Sequence, residues 1–404
     1  MGVGGVAHEV VCPGCTAEKK LILWDKAGQD TLHSIKNSGI NSFMLTLKKI
    51  VSRPVVVKLN RPIKAKIATI DEWPLVVLDL YTNEGIVGTS YLQPYLIKAL
   101  KYIVQMIDDI NEVLKNKALS PYDNYEEMRK SLLFVGYEGL SLIAVSGVDM
   151  AIWDAMAKAA NMPLCNFLGG SVGEVKAYNS NGLWLAESKS LASEAAELVG
   201  EGNFSAIKMR LGRENFNDDL EAINTVRQAV GDQIKLMVDF NQSLTLDEAL
   251  NRCHRLDDLN LTWIEEPIIY DNFEGYSRIT TDIKTPIQLG ENFYGPRELY
   301  KALQMGASDL LMPDFMRIGG VSGWLKSAAI AEVAGIPIST HLYPEVGAHV
   351  MRVSQTAHWL EWLDWADKIL KEPFRKENGF IKIPNKPGLG IEWDEAAIAK
   401  NAYT

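Results

Sequence analysis

Leu236-Met237-Val238-Asp239, Trp263-Ile264-Glu265 and Ile287-Gln288-Leu289-Gly290-Glu291 decide the fold of this chain. Each is a short, mainly apolar run closing on an acidic residue, and the acids stand 26 residues apart in both intervals. That period holds one strand and one returning helix. The strands are therefore expected to be parallel neighbours whose C-terminal ends open on one face. Carboxylates gathered there repel: a pair about 4 Å apart costs about 4 kcal/mol at an effective dielectric of about 20. Such a trio either protonates or binds a divalent cation. All-oxygen donors favour magnesium, and no early His-x-His pair of a zinc-dependent hydrolytic barrel is present.

Working outward, candidate strands fall at 205–210, 234–241, 261–267, 285–292, 309–315, 336–342 and 357–362, alternating with amphipathic helices. Leu220, Ile223, Val226 and Val230 form one apolar stripe, and Thr245 with Glu248 reads as a capping box. This is a (β/α) barrel pattern, in which chemistry belongs to the last polar residue of each strand. Those residues are Lys208, Arg210, Asp239, Asn241, Glu265, Glu291, Asp314, His341 and Glu361. Upstream, Trp73 to Leu92 reads as a hairpin turning at Asn83-Glu84-Gly85. Helical spacing follows at Leu96, Leu100, Ile103, Ile107 and Ile110, then along Leu140 to Ala160, where Asn161-Met162-Pro163 ends the run. Strands followed by helices imply a separate α+β unit.

With 404 residues, 47% apolar and 23% charged, the chain is long enough for one large domain and a smaller one. A net charge of −10 excludes a broad nucleic-acid surface, and a small-molecule partner is expected. No apolar stretch reads as a membrane span and no secretory signal is visible, so no membrane partner and a cytoplasmic location are expected. Cys12 and Cys15 form the one close cysteine pair and read as a tail thiol pair; Cys165 and Cys253 have no matching spacing.

The strand-end set resembles the enolase superfamily, specifically its mandelate racemase subgroup. The resemblance rests on Lys208-Met209-Arg210, Asp239-Phe240-Asn241, Trp263-Ile264-Glu265-Glu266-Pro267, Gly290-Glu291-Asn292, Asp314, His341 and His358-Trp359-Leu360-Glu361. It extends to Ile318-Gly319-Gly320-Val321 and Pro387-Gly388-Leu389-Gly390 and runs from about residue 45 to the C-terminus. It implies an α/β fold: a modified (β/α) TIM barrel with an α+β N-terminal capping domain. The expected boundaries are an extension over 1–42, the cap over 43–172, the barrel over 173–378, and a C-terminal segment over 379–404 that returns to the cap. A loop around Leu59 to Trp73 is expected to line the substrate pocket, presenting either an apolar ring of Ile63, Ile67 and Ile70 or the cations Arg61, Lys64 and Lys66. A symmetric homo-oligomer is also implied.

For the chemistry, the resemblance implies that Asp239, Glu265 and Glu291 hold Mg2+, with Glu266 orienting a neighbouring ligand. His341 is expected to be the base and Asp314 its orienter. A protonated Glu361 is expected to donate to the substrate carboxylate opposite Lys208 as an enediolate forms. Asn241 and Asn292 are candidates for substrate hydroxyls, while His349 and His358 read as structural. The departure is Arg210, where the racemising member of the subgroup has a second Lys. Neutralising an Arg at pH 7 costs about 9 kcal/mol against about 5 for Lys. Arg210 is thus expected to be a fixed cation, which favours chemistry that His341 performs alone. Dehydration of a 2-hydroxy or sugar acid to a 2-keto acid leads, ahead of a racemase or epimerase and a non-catalytic binding barrel.

Overall fold

The computed structural model describes residues 44–65, 68–186 and 188–403. The expected N-terminal extension, Cys12 and Cys15, and the hairpin residues Lys66 and Ile67 lie outside them. Three strands open the described chain: β1 (Leu47–Ala65), β2 (Ala68–Thr82) and β3 (Val87–Leu92), antiparallel in that order. The hairpin at Asn83-Glu84-Gly85 joins β2 to β3 as expected. The supposed pocket loop is instead the far end of the β1–β2 hairpin, with Ile63 paired to Ile70 and Lys64 to Thr69. Its cause is the period-two burial of Val55, Val57, Leu59 and Ile63, which keeps the ladder running.

Helices α1 (Leu100–Leu114) and α3 (Leu140–Ala159) cover this sheet, and α2 (Pro121–Ser131) packs on those two helices. On α1 the buried positions Leu100, Ile103, Ile107, Ile110 and Leu114 make one stripe, each side chain contributing roughly 1.5–3 kcal/mol. Helix α3 corrects the expectation that no apolar stretch reaches the length of a membrane span. By length and composition it does, yet most of it is buried inside the protein. It packs on β3 because residue 88 is glycine: a Cβ there would lie 2.1 Å from the Ala151 carbonyl oxygen. Its other side meets the barrel. Asp149 of α3 accepts the Ser322 backbone N–H at 2.9 Å, at the N-terminus of the helix Gly320–Ala334. A Cβ at Gly320, where φ is 65°, would stand 2.5 Å from that carboxylate.

The barrel staves are β4 (Glu174–Asn179), β5 (Ala206–Arg210), β6 (Lys235–Asp239), β7 (Ile264–Glu265), β8 (Ile287–Leu289), β9 (Leu310–Leu311), an extended segment at 338–341, and β10 (Leu360–Trp362). Each of β4 to β9 pairs parallel with the next, and β10 closes on β4. Bridges from Ile338 to Leu311 and Ala357 carry the ladder across the 338–341 segment. The sequence reading located seven staves and passed over β4, whose Glu174 and Lys176 interrupt its apolar character. Two further strands, β11 (Arg375–Glu377) and β12 (Phe380–Lys382), extend the sheet antiparallel to β4. The chain then runs back to the cap, where Val56 donates to the Asn401 carbonyl at 2.9 Å.

Register positions the site. Arg210 lies beside Asp239, Asp239 beside Glu265, and Asp314 beside His341. Beneath them Tyr178, Ala206, Met237, Trp263, Leu310 and Trp359 fill the barrel interior, so polar groups and any ligand are confined to the C-terminal mouth.

Candidate active site

A cavity of about 120 Å³ opens where the cap hairpin meets that mouth. Its polar wall includes Lys208, Arg210, Asp239, Asn241, Glu291, His341 and Glu361. The opposite flank is apolar, with Ile63, Ile70, Trp73, Trp184, Leu363 and Trp365. Trp73 packs on Trp365 with ring centroids 4.2 Å apart, and Trp365 stacks on Trp184 at 6.4 Å. Among the described residues of the hairpin, Ile63 and Ile70 line the cavity. Arg61 turns away to Glu201 at 2.7 Å, and Lys64 contributes its carbonyl to the Leu185 N–H.

Positive φ angles cluster where the strands end: Asn241, Gln242, Glu266, Leu342 and Tyr343 all lie in the left-handed region. Bulky residues adopt it at a cost of order 1–3 kcal/mol each, sustained only where surroundings over-determine them. Here the sharp turns bring Asn241, Gln242 and Leu342 onto the cavity wall.

On one side His341 Nδ1 bonds Asp314 Oδ2 at 2.7 Å, while Asp314 Oδ1 accepts the Met316 N–H at 2.7 Å. The carboxylate is fixed from both oxygens, so the ring points Nε2 toward Glu291 (3.1 Å) and Glu361 (3.9 Å). Burial pushes the imidazole pKa down, but these carboxylates outweigh it and hold it well above its usual value. The same contact, acting against burial, draws Glu291 down to about 2.

Across the cavity Lys208 is wedged among Glu265 (2.6 Å), Glu361 (2.9 Å) and Asp239 (3.6 Å). Those three outweigh its burial and raise its pKa. Arg210 is engaged on every side but one. It donates to the Ser180 carbonyl (2.9 Å), the Gly182 carbonyl (3.3 Å) and Ser180 Oγ (2.9 Å), and its guanidinium lies 3.9 Å from the Trp184 ring centre. Its Nε has only the ion contact to Asp239 at 3.7 Å.

At Glu361, burial pushes the pKa up, but Lys208, His341 and Arg210 more than reverse this, and the Leu342 N–H donates to it at 2.9 Å; without a substrate carboxylate beside it these contacts favour its charged form. Asn241 spends its side-chain amide on Asp239 (3.0 Å), and Asn292 spends its own on Glu266 (2.7 Å) and Glu291 (3.3 Å). Both hold carboxylates in place, and Asn241 also lines the cavity. His349 is structural as read: Nδ1 accepts from the Cys165 N–H and Nε2 reaches the Leu389 carbonyl. His358, at the start of β10, lies between Trp263 and Trp359.

The expected carboxylate trio reaches the same mouth but does not converge. Among the described residues no group of three or more His, Cys, Asp or Glu is drawn together as a metal cage. Internal cations explain why: Lys208 holds Glu265, and His341 holds Glu291. The charge balance nevertheless fits a hard divalent cation. Asp239, Glu265, Glu266, Glu291, Asp314 and Glu361 face only three permanent cations, Lys208, Arg210 and Arg317. Burial, with neighbouring carboxylates, pushes Asp239, Glu265 and Glu266 above the usual range, Glu265 to about 8. Glu266 Oε1 is buried without a hydrogen-bond partner. Oxygen donors short of positive charge are what magnesium satisfies.

Residues of the wall that sequence reasoning missed include Tyr95, Trp184, Gln242, Leu342, Leu363 and Trp365. Trp184 follows the overlooked β4, and Tyr95 belongs to a Gln93-Pro94-Tyr95 turn of the cap with no local signal for a pocket.

Comparison with known proteins agrees with this arrangement. Residues 47–169 match the family described as "Mandelate racemase / muconate lactonizing enzyme, N-terminal domain", and residues 190–397 match "Enolase C-terminal domain-like". The arabinonate dehydratase of Saccharolobus solfataricus is 31% identical over 327 residues, 78% of this chain and 87% of that one. Among solved structures, an enolase from the alphaproteobacterium BAL199 with bound magnesium is 57% identical, with a TM-score of 0.88 over 89% of this chain and 100% of that one. An enolase from Bradyrhizobium complexed with magnesium and mandelic acid is 40% identical, with a TM-score of 0.86 over 89% and 99%.

Proposed function

This chain belongs to the mandelate racemase and muconate lactonizing enzyme family of the enolase superfamily, and from that premise we propose that it is a magnesium-dependent enzyme that removes the proton α to a carboxylate with His341 as its single base. The observation that carries this reading is the engagement of Arg210 by two carbonyls, a hydroxyl, an indole face and Asp239. A guanidinium so held stabilises negative charge and does not accept a proton. Carboxylates hold Lys208 protonated, so among the described residues of the wall His341 Nε2 is the nitrogen left to take a proton.

Asp239, Glu265 and Glu291 would hold the magnesium, which supplies positive charge against the oxyanion that develops on the substrate carboxylate. The remaining work falls to the chain. Asp314 keeps the Nδ1–H tautomer of His341 and supports the imidazolium. Were Glu291 taken up by the metal, His341 would keep Asp314 and Glu361 but lose one of the contacts that hold its proton, which would lower its pKa. Lys208 and Arg210 face the same oxyanion. A substrate carboxylate entering against Glu361 brings a second negative charge, which raises the Glu361 pKa and lets it share a proton there.

We assign β-elimination first. His341 takes the α-proton and, as imidazolium, returns it to the departing hydroxyl on the next carbon; water leaves and the enol becomes a 2-keto acid. One base suffices for both transfers. The substrate is compact: the cavity approaches the volume of about 150 Å³ that admits a benzene-sized group. Its apolar flank favours a 2,3-dihydroxy acid with a short or apolar remainder over an extended polyol. The same flank, with the mandelic acid complex of a 40% identical protein, favours racemisation of a 2-hydroxy acid as the second reading. Incubation of 2,3-dihydroxy acids and aryl 2-hydroxy acids with Mg2+ in D2O, followed by NMR, separates them. A 2-keto product supports elimination; inverted, deuterated acid without keto product overturns it in favour of racemisation.

A further inference from the structure

Arg317 lies one helical turn beyond Asp314, in the short helix Phe315–Ile318, and reaches two places at once. Its NH1 donates to the Glu291 carbonyl at 2.9 Å. Its guanidinium carbon lies 4.9 Å from the ring centre of Tyr95, a cap residue on the cavity wall. Tyr95 stands in the left-handed region at φ 61°, meets the Trp73 ring edge-on at 5.2 Å, and has a buried hydroxyl with no partner. A strained aromatic persists only where its neighbours hold it; here they are the hairpin Trp73 and the barrel Arg317. The same short helix thus carries the orienter of the base, grips the backbone of a candidate ligand, and seats the cap.

Resting on the reading of Glu291 as a metal ligand, we infer that Arg317 is a positioning residue coupling the cap to the metal site, so that Tyr95 docking and metal affinity depend on each other. The reciprocity is thermodynamic: whatever fixes the Glu291 carbonyl through Arg317 and Tyr95 is also strengthened when Glu291 is fixed by metal. Arginine suits the role because its planar fork donates at one edge while stacking on its face; lysine can do only the first.

The test is Mn2+ binding to the full-length, metal-stripped protein, read as loss of the free-ion EPR signal and independent of turnover. R317M is expected to weaken Mn2+ binding about tenfold or more, in line with other partners that orient metal ligands. R317K should lose less, and Y95L should weaken binding measurably although Tyr95 touches no carboxylate. Because the effect of Tyr95 passes through Arg317, R317M/Y95L should bind as R317M does, whereas independent structural losses would add. Wild-type affinity in R317M, or additive losses in the double variant, overturns the coupling. If R317M does not fold, Y95L decides: unchanged Mn2+ affinity refutes the inference. A wild-type protein that binds no Mn2+ overturns the metal reading itself, and with it this inference.

Discussion

The two walls of the cavity hold their charges in opposite ways. On the His341 side an imidazole is turned by one carboxylate and faces two more, which raise its pKa. On the Lys208 and Arg210 side the positive groups are fixed by ion pairs, carbonyls and an indole. One wall can exchange a proton and the other can only stabilise charge. A site built this way commits to one face of the substrate, which suits elimination and makes two-base racemisation the harder task.

Removing the titratable wall is expected to have the largest effect. H341N should lower kcat/KM by about 10⁴-fold, the upper range for a positioned general base, while leaving Mn2+ binding intact. Chelation should silence the wild type equally, with recovery on adding Mg2+. The charged wall comes next: K208M should cost about 10²–10³-fold in kcat, the scale of losing one preorganised charge at a developing oxyanion.

His349 sharpens the contrast between buried histidines. Where carboxylates raise His341, burial pushes His349 down to about 4, only partly offset by its contact with the Leu389 carbonyl. A depressed folded pKa means that its stabilisation is complete above the ordinary value near 6.5 and is lost as pH falls toward about 4. That loss is about 3 kcal/mol. Urea midpoints between pH 7 and 4 should fall in the wild type and fall less in H349Q. The smallest change is expected from R210K, about tenfold in kcat, because charge remains while the fork and stacking are lost. A gain of α-proton exchange on the opposite substrate face in R210K alone would sharpen the comparison further, since Lys neutralises more readily than Arg.

Much of this was legible in the sequence because periodicity and strand-end chemistry coincide. The spacing of Asp239, Glu265 and Glu291 placed the strands, and the register then set those residues and His341 at one mouth. Three parts were not legible. The stave β4 carries Glu174 and Lys176 on its outer face and reads as a loop. The far end of the β1–β2 hairpin mixes Lys, Arg and Pro with its apolar residues and gives no local strand signal, although Ile63 pairs with Ile70 there. The protonation of Glu361 depends on where Lys208, His341 and Arg210 meet in space, and spacing along the chain does not reveal it. The apolar flank escaped for the same reason: Trp73, Trp184 and Trp365 come from three distant segments and become a wall only when the cap closes on the barrel.

The account turns on His341 being the one group that breaks the bond to the α-hydrogen. Loss of the α-proton signal of separate enantiomers of a 2-hydroxy acid in D2O, followed by NMR with Mg2+ present, tests this directly in wild type, H341N and R210Q. The account predicts exchange of one enantiomer in the wild type, none in H341N, and slowed exchange of the same enantiomer in R210Q. Exchange that survives in H341N, or that vanishes for one enantiomer only when Arg210 is replaced, would contradict it.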